Sequence, residues 1–171
     1  LPIPRGALYA AKQICGMAIV GFSFLALVVL LVLSGWALRL LVPGMGFEAA
    51  PPVGEFLRFA VFLFLGSWLF IAMQTWVAQR WSSFAVASGV GIALTIAGAL
   101  IIQSEWAGLY PTTMPILVAN GFSDTIRPLN ILAEGVRPVK ELLAGSLGGV
   151  VAAVLGGWDV VRQDVLNLPG R

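Results

Sequence analysis

The chain has 171 residues, of which 59% are apolar and only 11% are charged, and its formal net charge is +2. Soluble domains carry about 25% charged residues, and nucleic-acid binding needs a concentrated patch of Lys and Arg that this sequence lacks. The composition therefore excludes a soluble domain and a nucleic-acid-binding protein. Charged side chains are absent from 13–38, 59–79, 81–104 and 142–158, and about 20 apolar residues are enough to cross a bilayer. The sequence predicts a single all-α domain, an integral membrane helix bundle with about four transmembrane helices.

The first span is predicted over 14–42, which is long enough to tilt in the bilayer. The segment 1–13 before it reads as a proline-containing stretch that leads into a short interfacial helix, with Pro4 suited to a helix start and Tyr9 to the headgroup level. The chain begins at Leu1 rather than Met. We therefore expect that it is an N-terminally truncated piece of a longer protein.

The second and third spans are predicted over 55–78 and 83–103, and the last over 142–161. Arg80 lies in the short loop between the second and third spans and is flanked by Trp76 and Trp81, a pattern typical of a membrane surface. Prolines divide 104–141, so this region is expected to be a long loop with a short or re-entrant helix.

Four crossings place both ends of the chain on the Arg80 side. The Lys and Arg residues divide five against five between the two sides, so the positive-inside rule does not decide the orientation.

Two series of small residues at spacing four are the strongest local patterns in the spans. Small residues let helix backbones approach closely in lipid, so each series could form a dimerisation interface or a moving interface. The favoured interpretation is ordinary packing inside one bundle, or simply the high glycine content of membrane helices. The stronger series is Gly145, Gly149, Ala153 and Gly157, and the weaker one is Ala87, Gly91, Thr95 and Ala99.

Polar chemistry inside the spans is sparse. Gln74 and Thr75 are the strongly polar neighbours within a span, and they either line a transport path or bond to a neighbouring helix. No charged residue lies at mid-span, which argues against an ion-coupled carrier. The chain has no histidine and no GxxxxGK[ST] phosphate loop. We therefore expect no enzymatic activity, no bound metal and no cofactor in this chain.

Three segments resemble the permease subunits of type-two ABC exporters, and most closely the small permeases of the bacteriocin (lantibiotic) self-protection type. They are LPIPRGALYAAK before the first span, WVAQRWSSFAVASGVGIALTIAGALI around Arg80, and GGWDVVRQDVLN at the end of the last span. The family has six spans, so the resemblance implies that this chain is the last four of them.

The resemblance implies a multi-pass protein of the bacterial cytoplasmic membrane, with the termini of this segment cytoplasmic. Its expected partners are a cytoplasmic ATP-binding subunit, a second permease subunit and membrane lipid, and its expected cargo is a peptide, a lipid or a drug-like molecule. The residues that would contact the ATPase are Pro2, Pro4, Arg5, Tyr9 and Lys12. Arg5 and Lys12 have an alternative role, as anchors at anionic headgroups. The alternative function is a structural or anchoring membrane protein that transports nothing.

Overall fold

The computed structural model describes residues 4–41, 51–81, 83–126 and 139–166, with side chains up to residue 121 in the third range and up to residue 162 in the last. All regular structure in these ranges is helical. The helices are α1 (Arg5–Leu41), α2 (Val53–Arg80), α3 (Phe84–Ile101), α4 (Met114–Ile126) and α5 (Val139–Leu166), with a 3₁₀ turn at Ala107–Leu109. Four of them, α1, α2, α3 and α5, are long and apolar enough to cross a membrane. The prediction of an all-α membrane bundle with about four spans is confirmed to that extent.

Helix α1 begins earlier than its predicted span. The structure has one continuous helix of 37 residues where the sequence predicted a short interfacial helix followed by a span from residue 14. No proline falls between Arg5 and Leu41, and Tyr9 and Gln13 are buried against other helices, so packing holds the first turns in the same helix. At about 1.5 Å per residue the helix is about 55 Å long, which exceeds a hydrocarbon core of about 30 Å.

The predicted loop over 104–141 contains helix α4, which has 13 residues. Pro115 stands in its first turn, where proline is tolerated because the missing N–H has no partner there in any case. The first turns of α4 pack against the middle of α2, since a Cβ on Gly66 would lie 3.2 Å from Val118 Cγ2 and 3.5 Å from Pro115 Cα. Residues 127–138 of this region lie outside the described residues.

Contacts between the helices fix their relative directions. Lys12 bonds to Gln79, whereas Gly35, near the other end of α1, faces Pro51, so α1 and α2 are antiparallel. Gly145 faces Gly66 and Asp159 bonds to Arg80. Because residue numbers rise together along that pair, α5 runs parallel to α2. Helix α2 is the central element and packs against α1, α3, α4 and α5.

The start of α1 and the last turns of α2 and α5 therefore meet at one end of the bundle, which we call the Arg80 end. This is the arrangement expected if α1, α2, α3 and α5 cross the membrane in alternating directions. The opposite end brings together the last turns of α1 and α3 and the first turns of α2 and α5. There a Cβ on Gly108 would lie 3.9 Å from Glu141 Oε1.

Candidate functional site

A polar cluster joins α1, α2 and α5 at the Arg80 end. Arg80 Nη1 donates to both carboxylate oxygens of Asp159, at 3.0 and 2.9 Å. The indole Nε1 of Trp76, one turn earlier on α2, donates to Asp159 Oδ2 at 3.0 Å. From α1, Lys12 Nζ donates to Gln79 Oε1 of α2 at 2.6 Å. Both α1 and α5 are thus fastened to the last turns of α2.

Tyr9 forms the apolar part of this junction and is 3% exposed. Its ring lies over two adjacent glycines of α5: a Cβ on Gly157 would lie 3.6 Å from Tyr9 Cδ1 and Cε1, and a Cβ on Gly156 would overlap the Tyr9 hydroxyl oxygen. The Trp76 ring closes the pocket, at 3.1 Å from the same position on Gly156. Only glycine at position 156 leaves space for the tyrosine, so α1 and α5 fit together closely here.

The residues that the resemblance assigns to ATPase contact divide into two groups. Pro4, Arg5 and Lys12 are exposed. The Lys12 ammonium donates to Gln79 of α2. Tyr9 faces the interior of the bundle rather than a surface. Pro2 lies outside the described residues.

Sequence reasoning missed Trp76, Gln79, Gly156 and Asp159 as members of this junction. Asp159 and Arg80 lie 79 positions apart in the chain, so no local motif connects them. A usable signal was present, however. Because the spans cross the membrane in alternating directions, the last turns of α2 and α5 lie on the same side of it. Arg80 and Asp159 lie in those last turns and carry opposite charges.

The main small-residue series faces the interior of this bundle along much of its length. A Cβ on Gly145 would lie 2.7 Å from the carbonyl oxygen of Gly66, and one on Gly149 would lie 2.9 Å from the backbone carbon of Trp68. These two glycines therefore bring the backbones of α5 and α2 into direct contact. Ala153 is half-buried, and Gly157 packs on Tyr9. The nearest neighbours of Gly145 and Gly149 belong to α2, and those of Gly157 belong to α1.

The four residues of the weaker series do not all pack against the same neighbouring helix. Ala87 and Gly91 are buried against α2, whereas Thr95 and Ala99 are exposed. The Gln74 amide lies flat against Gly91, where a Cβ would be 2.7 Å from Nε2. Only the first half of this series therefore packs inside the bundle.

Gln74 and Thr75 point in different directions. Gln74 Nε2 donates to the carbonyl of Ala87 on α3 at 2.7 Å. Thr75 Oγ1 donates to Ile71 of its own helix at 2.8 Å and lies on the side of α2 that faces Gly16 of α1. The structure therefore does not bring the two predicted path-lining residues to one surface.

Gln74 lines an open cavity of about 370 Å³ between α2 and α3. Its walls are mostly apolar and carry no charged side chain; they are formed by Phe70, Gln74, Ser88, Gly91, Ile92, Thr95 and Ile96. Among the described residues, no group of three or more His, Cys, Asp or Glu side chains could hold a metal ion. The side chains that line the cavity are therefore suited to bind an uncharged, largely apolar molecule.

Gln13 is the least satisfied polar residue of the bundle interior. It is 7% exposed, and neither amide atom has a hydrogen-bond partner among the described residues. Burying an unpaired amide costs about 1–3 kcal/mol. We therefore expect Gln13→Leu, which has similar volume, to raise the free energy of unfolding by about 1 kcal/mol. SDS titration in mixed micelles, followed by circular dichroism, measures the change.

The matched control for this change is Gln79→Leu, because Gln79 accepts a hydrogen bond from Lys12. It should leave the free energy of unfolding unchanged or lower it. A loss of stability in Gln13→Leu would contradict the prediction and would mean that the buried amide is bonded in the membrane.

Comparison with known proteins gives no assignment: no family model, no curated protein and no solved structure matches the chain.

Proposed function

We propose that the chain is part of a permease subunit of an ATP-driven ABC exporter, energised by a separate ATP-binding subunit at the Arg80 end. By this proposal the protein lies in a bacterial cytoplasmic membrane, with the Arg80 end on the cytoplasmic side. Two permease subunits form the transport path by alternating access, and the cargo is a peptide, a lipid or a drug-like molecule, as in bacteriocin self-protection. This chain, as the last four spans of six, contributes no catalytic group.

The continuity of α1 is the observation that carries the proposal. The segment Arg5–Lys12, which resembles the ATPase-contacting segment of these permeases, is helical and runs without a break into the first span. Its residues Arg5 and Lys12 are exposed and lie at the Arg80 end. A displacement applied there moves the whole of α1, because no hinge interrupts the helix.

The contacts of α1 extend such a displacement to the rest of the bundle. Lys12 is bonded to Gln79 of α2, and Tyr9 is enclosed by the two glycines of α5. Asp159 in turn joins α5 to α2. Helices α1, α2 and α5 are therefore linked at the end where an ATPase would bind. A permease subunit whose motion depends on a separate ATPase requires such a link.

Purification of the tagged chain from the membranes of its source organism tests the proposal. We expect a nucleotide-binding subunit to remain attached and to give vanadate-sensitive ATP hydrolysis. Arg5→Glu should reduce the attached hydrolysis about tenfold, because reversing a charge at a contact surface introduces like-charge repulsion with an acidic partner site.

Arg39→Glu is the matched control, since Arg39 is also exposed but lies at the opposite end of α1. It should leave the attached hydrolysis within about twofold of wild type, as a substitution away from an interface does. Equal loss in both variants would mean that the charges act on folding or on membrane insertion rather than on an ATPase.

A structural or anchoring protein is the second candidate function. It is favoured by the hydroxyls of α2, because Ser67 and Thr75 both donate back to their own helix and so offer nothing to a translocating molecule. Attached ATP hydrolysis separates the two candidates, since an anchoring protein has no reason to retain a nucleotide-binding subunit.

A further inference from the structure

The cavity between α2 and α3 has a polar end and an apolar end. Two of its three polar members, Gln74 and Ser88, lie near the Arg80 end of the two helices, and Ser88 is one turn from the start of α3. The third, Thr95, lies deeper, and its hydroxyl donates to the carbonyl of Gly91 in its own helix. Ile96 lies eight residues beyond Ser88 along α3, about 12 Å deeper in the bundle. Phe70 and Ile92 complete the apolar walls. The polarity of the cavity wall therefore decreases from the membrane surface towards the middle of the bundle. A membrane amphiphile, with a polar head and an apolar chain, has the same distribution of polarity.

Ser88 offers a free hydroxyl at the polar end. The hydroxyls of Ser23 and Thr95, by contrast, are used by their own helices: Ser23 donates to Ile19 at 2.8 Å and Thr95 to Gly91 at 2.9 Å. Ser88 is half-buried in the cavity wall, and its hydroxyl makes no hydrogen bond to another described residue. A serine hydroxyl both donates and accepts, so it can bind a ligand hydroxyl, ester or amide.

Size and charge restrict the occupant further. A volume of about 370 Å³ is at the small end of ligand sites, which run from about 300 to 1,000 Å³, so it suits one acyl chain rather than a folded peptide. No charged side chain lines the cavity, and burying an unpaired ionised group there is costly. The ligand head group is therefore uncharged.

We propose that the α2–α3 cavity binds the single apolar chain of an uncharged amphiphile, with its hydroxyl or carbonyl head at Ser88 and its chain directed towards Ile96. Such a molecule reaches the site sideways from the lipid, because the cavity is open. Binding of this kind does not require an ATPase. That the bound molecule is also the cargo rests on the permease function proposed above.

Photolabelling tests the site directly. The whole chain is reconstituted in phosphatidylcholine vesicles with a long-chain alcohol that carries a diazirine in its chain, and labelled residues are located by mass spectrometry. We expect labelling concentrated on Phe70, Ile92 and Ile96, and suppressed by an excess of the unlabelled alcohol. Ser88→Ala should reduce the suppressible labelling roughly fivefold, the value of one hydrogen bond.

Two matched controls separate binding from general partitioning into the bilayer. Ser23→Ala removes a hydroxyl that is already bonded to its own helix, and it should leave labelling unchanged. Ile92→Trp should block the cavity, whereas Ile19→Trp should not, although the two isoleucines are similarly exposed, at 61% and 66%.

Labelling spread evenly over the exposed face of α1, or labelling that Ser88→Ala and Ile92→Trp leave intact, would overturn the proposal. The assay contains neither ATP nor a partner subunit. Failure of the site therefore leaves the permease proposal standing, and failure of ATPase attachment leaves the site standing.

Discussion

Replacing Gly145 with alanine is expected to destabilise the bundle by about 3 kcal/mol, the upper part of the range for overpacking a tight interface. The added methyl group would lie 2.7 Å from the carbonyl oxygen and 2.8 Å from the Cα of Gly66. Both neighbours are backbone atoms of the central helix, so they cannot rotate away as a side chain would. Helices α2 and α5 must separate, and the loss spreads to the contacts on either side of Gly145.

SDS titration monitored by circular dichroism measures this change, and Gly89→Ala is its control. Gly89 is also within a spanning helix, but nothing lies within 4 Å of a Cβ placed on it. Alanine is the better helix former by about 0.5–1 kcal/mol, so Gly89→Ala should be neutral or stabilising. Equal behaviour of the two variants would contradict the close α2–α5 contact and would point instead to an interface with another subunit.

Replacing Asp159 with leucine is expected to cost about 2 kcal/mol, because it removes the acceptor shared by Arg80 and Trp76. The Trp76 bond to Asp159 is partly buried, at 3.0 Å, so the indole N–H would be left without a partner inside the bundle. The ion pair itself contributes less. Arg80 is half-exposed, and an ion pair in such a setting adds about 0–1 kcal/mol.

Asp159→Asn distinguishes these two contributions, since an amide oxygen still accepts from the indole while the charge is lost. It should cost under about 1 kcal/mol, clearly less than Asp159→Leu in the same SDS titration. A cost for Asp159→Asn as large as that for Asp159→Leu would mean that charge pairing, and not the bond to Trp76, holds α5 against α2.

Much of this fold follows from composition and charge spacing. The long charge-free stretches predict the spans because charges are expensive in hydrocarbon, and Trp76 and Trp81 mark the membrane surface beside Arg80. Helix ends were less predictable. The amphipathic ring of Tyr9 predicts a place at the headgroup level but does not predict its partners, since Gly156 and Gly157 of α5 open the space in which it is buried.

The candidate sites were predictable only in part, because their members come together through tertiary contacts. The spacing of Gly145 and Gly149 indicates close packing but does not say which helix approaches. Adjacent positions in a helix point about 100° apart, and this explains why Gln74 and Thr75 face different neighbours. Ser88 carried no signal at all in the sequence, since its importance depends on the cavity wall and on the lack of a hydrogen-bond partner among the described residues.

ATP hydrolysis by the protein purified from its own membranes tests most directly the proposal that an ATPase bound at the Arg80 end moves this bundle. We expect vanadate-sensitive hydrolysis that stays with the tagged chain, falls in Arg5→Glu and persists in Arg39→Glu. A stably folded chain from the same membranes with no attached hydrolysis and no nucleotide-binding subunit would contradict it.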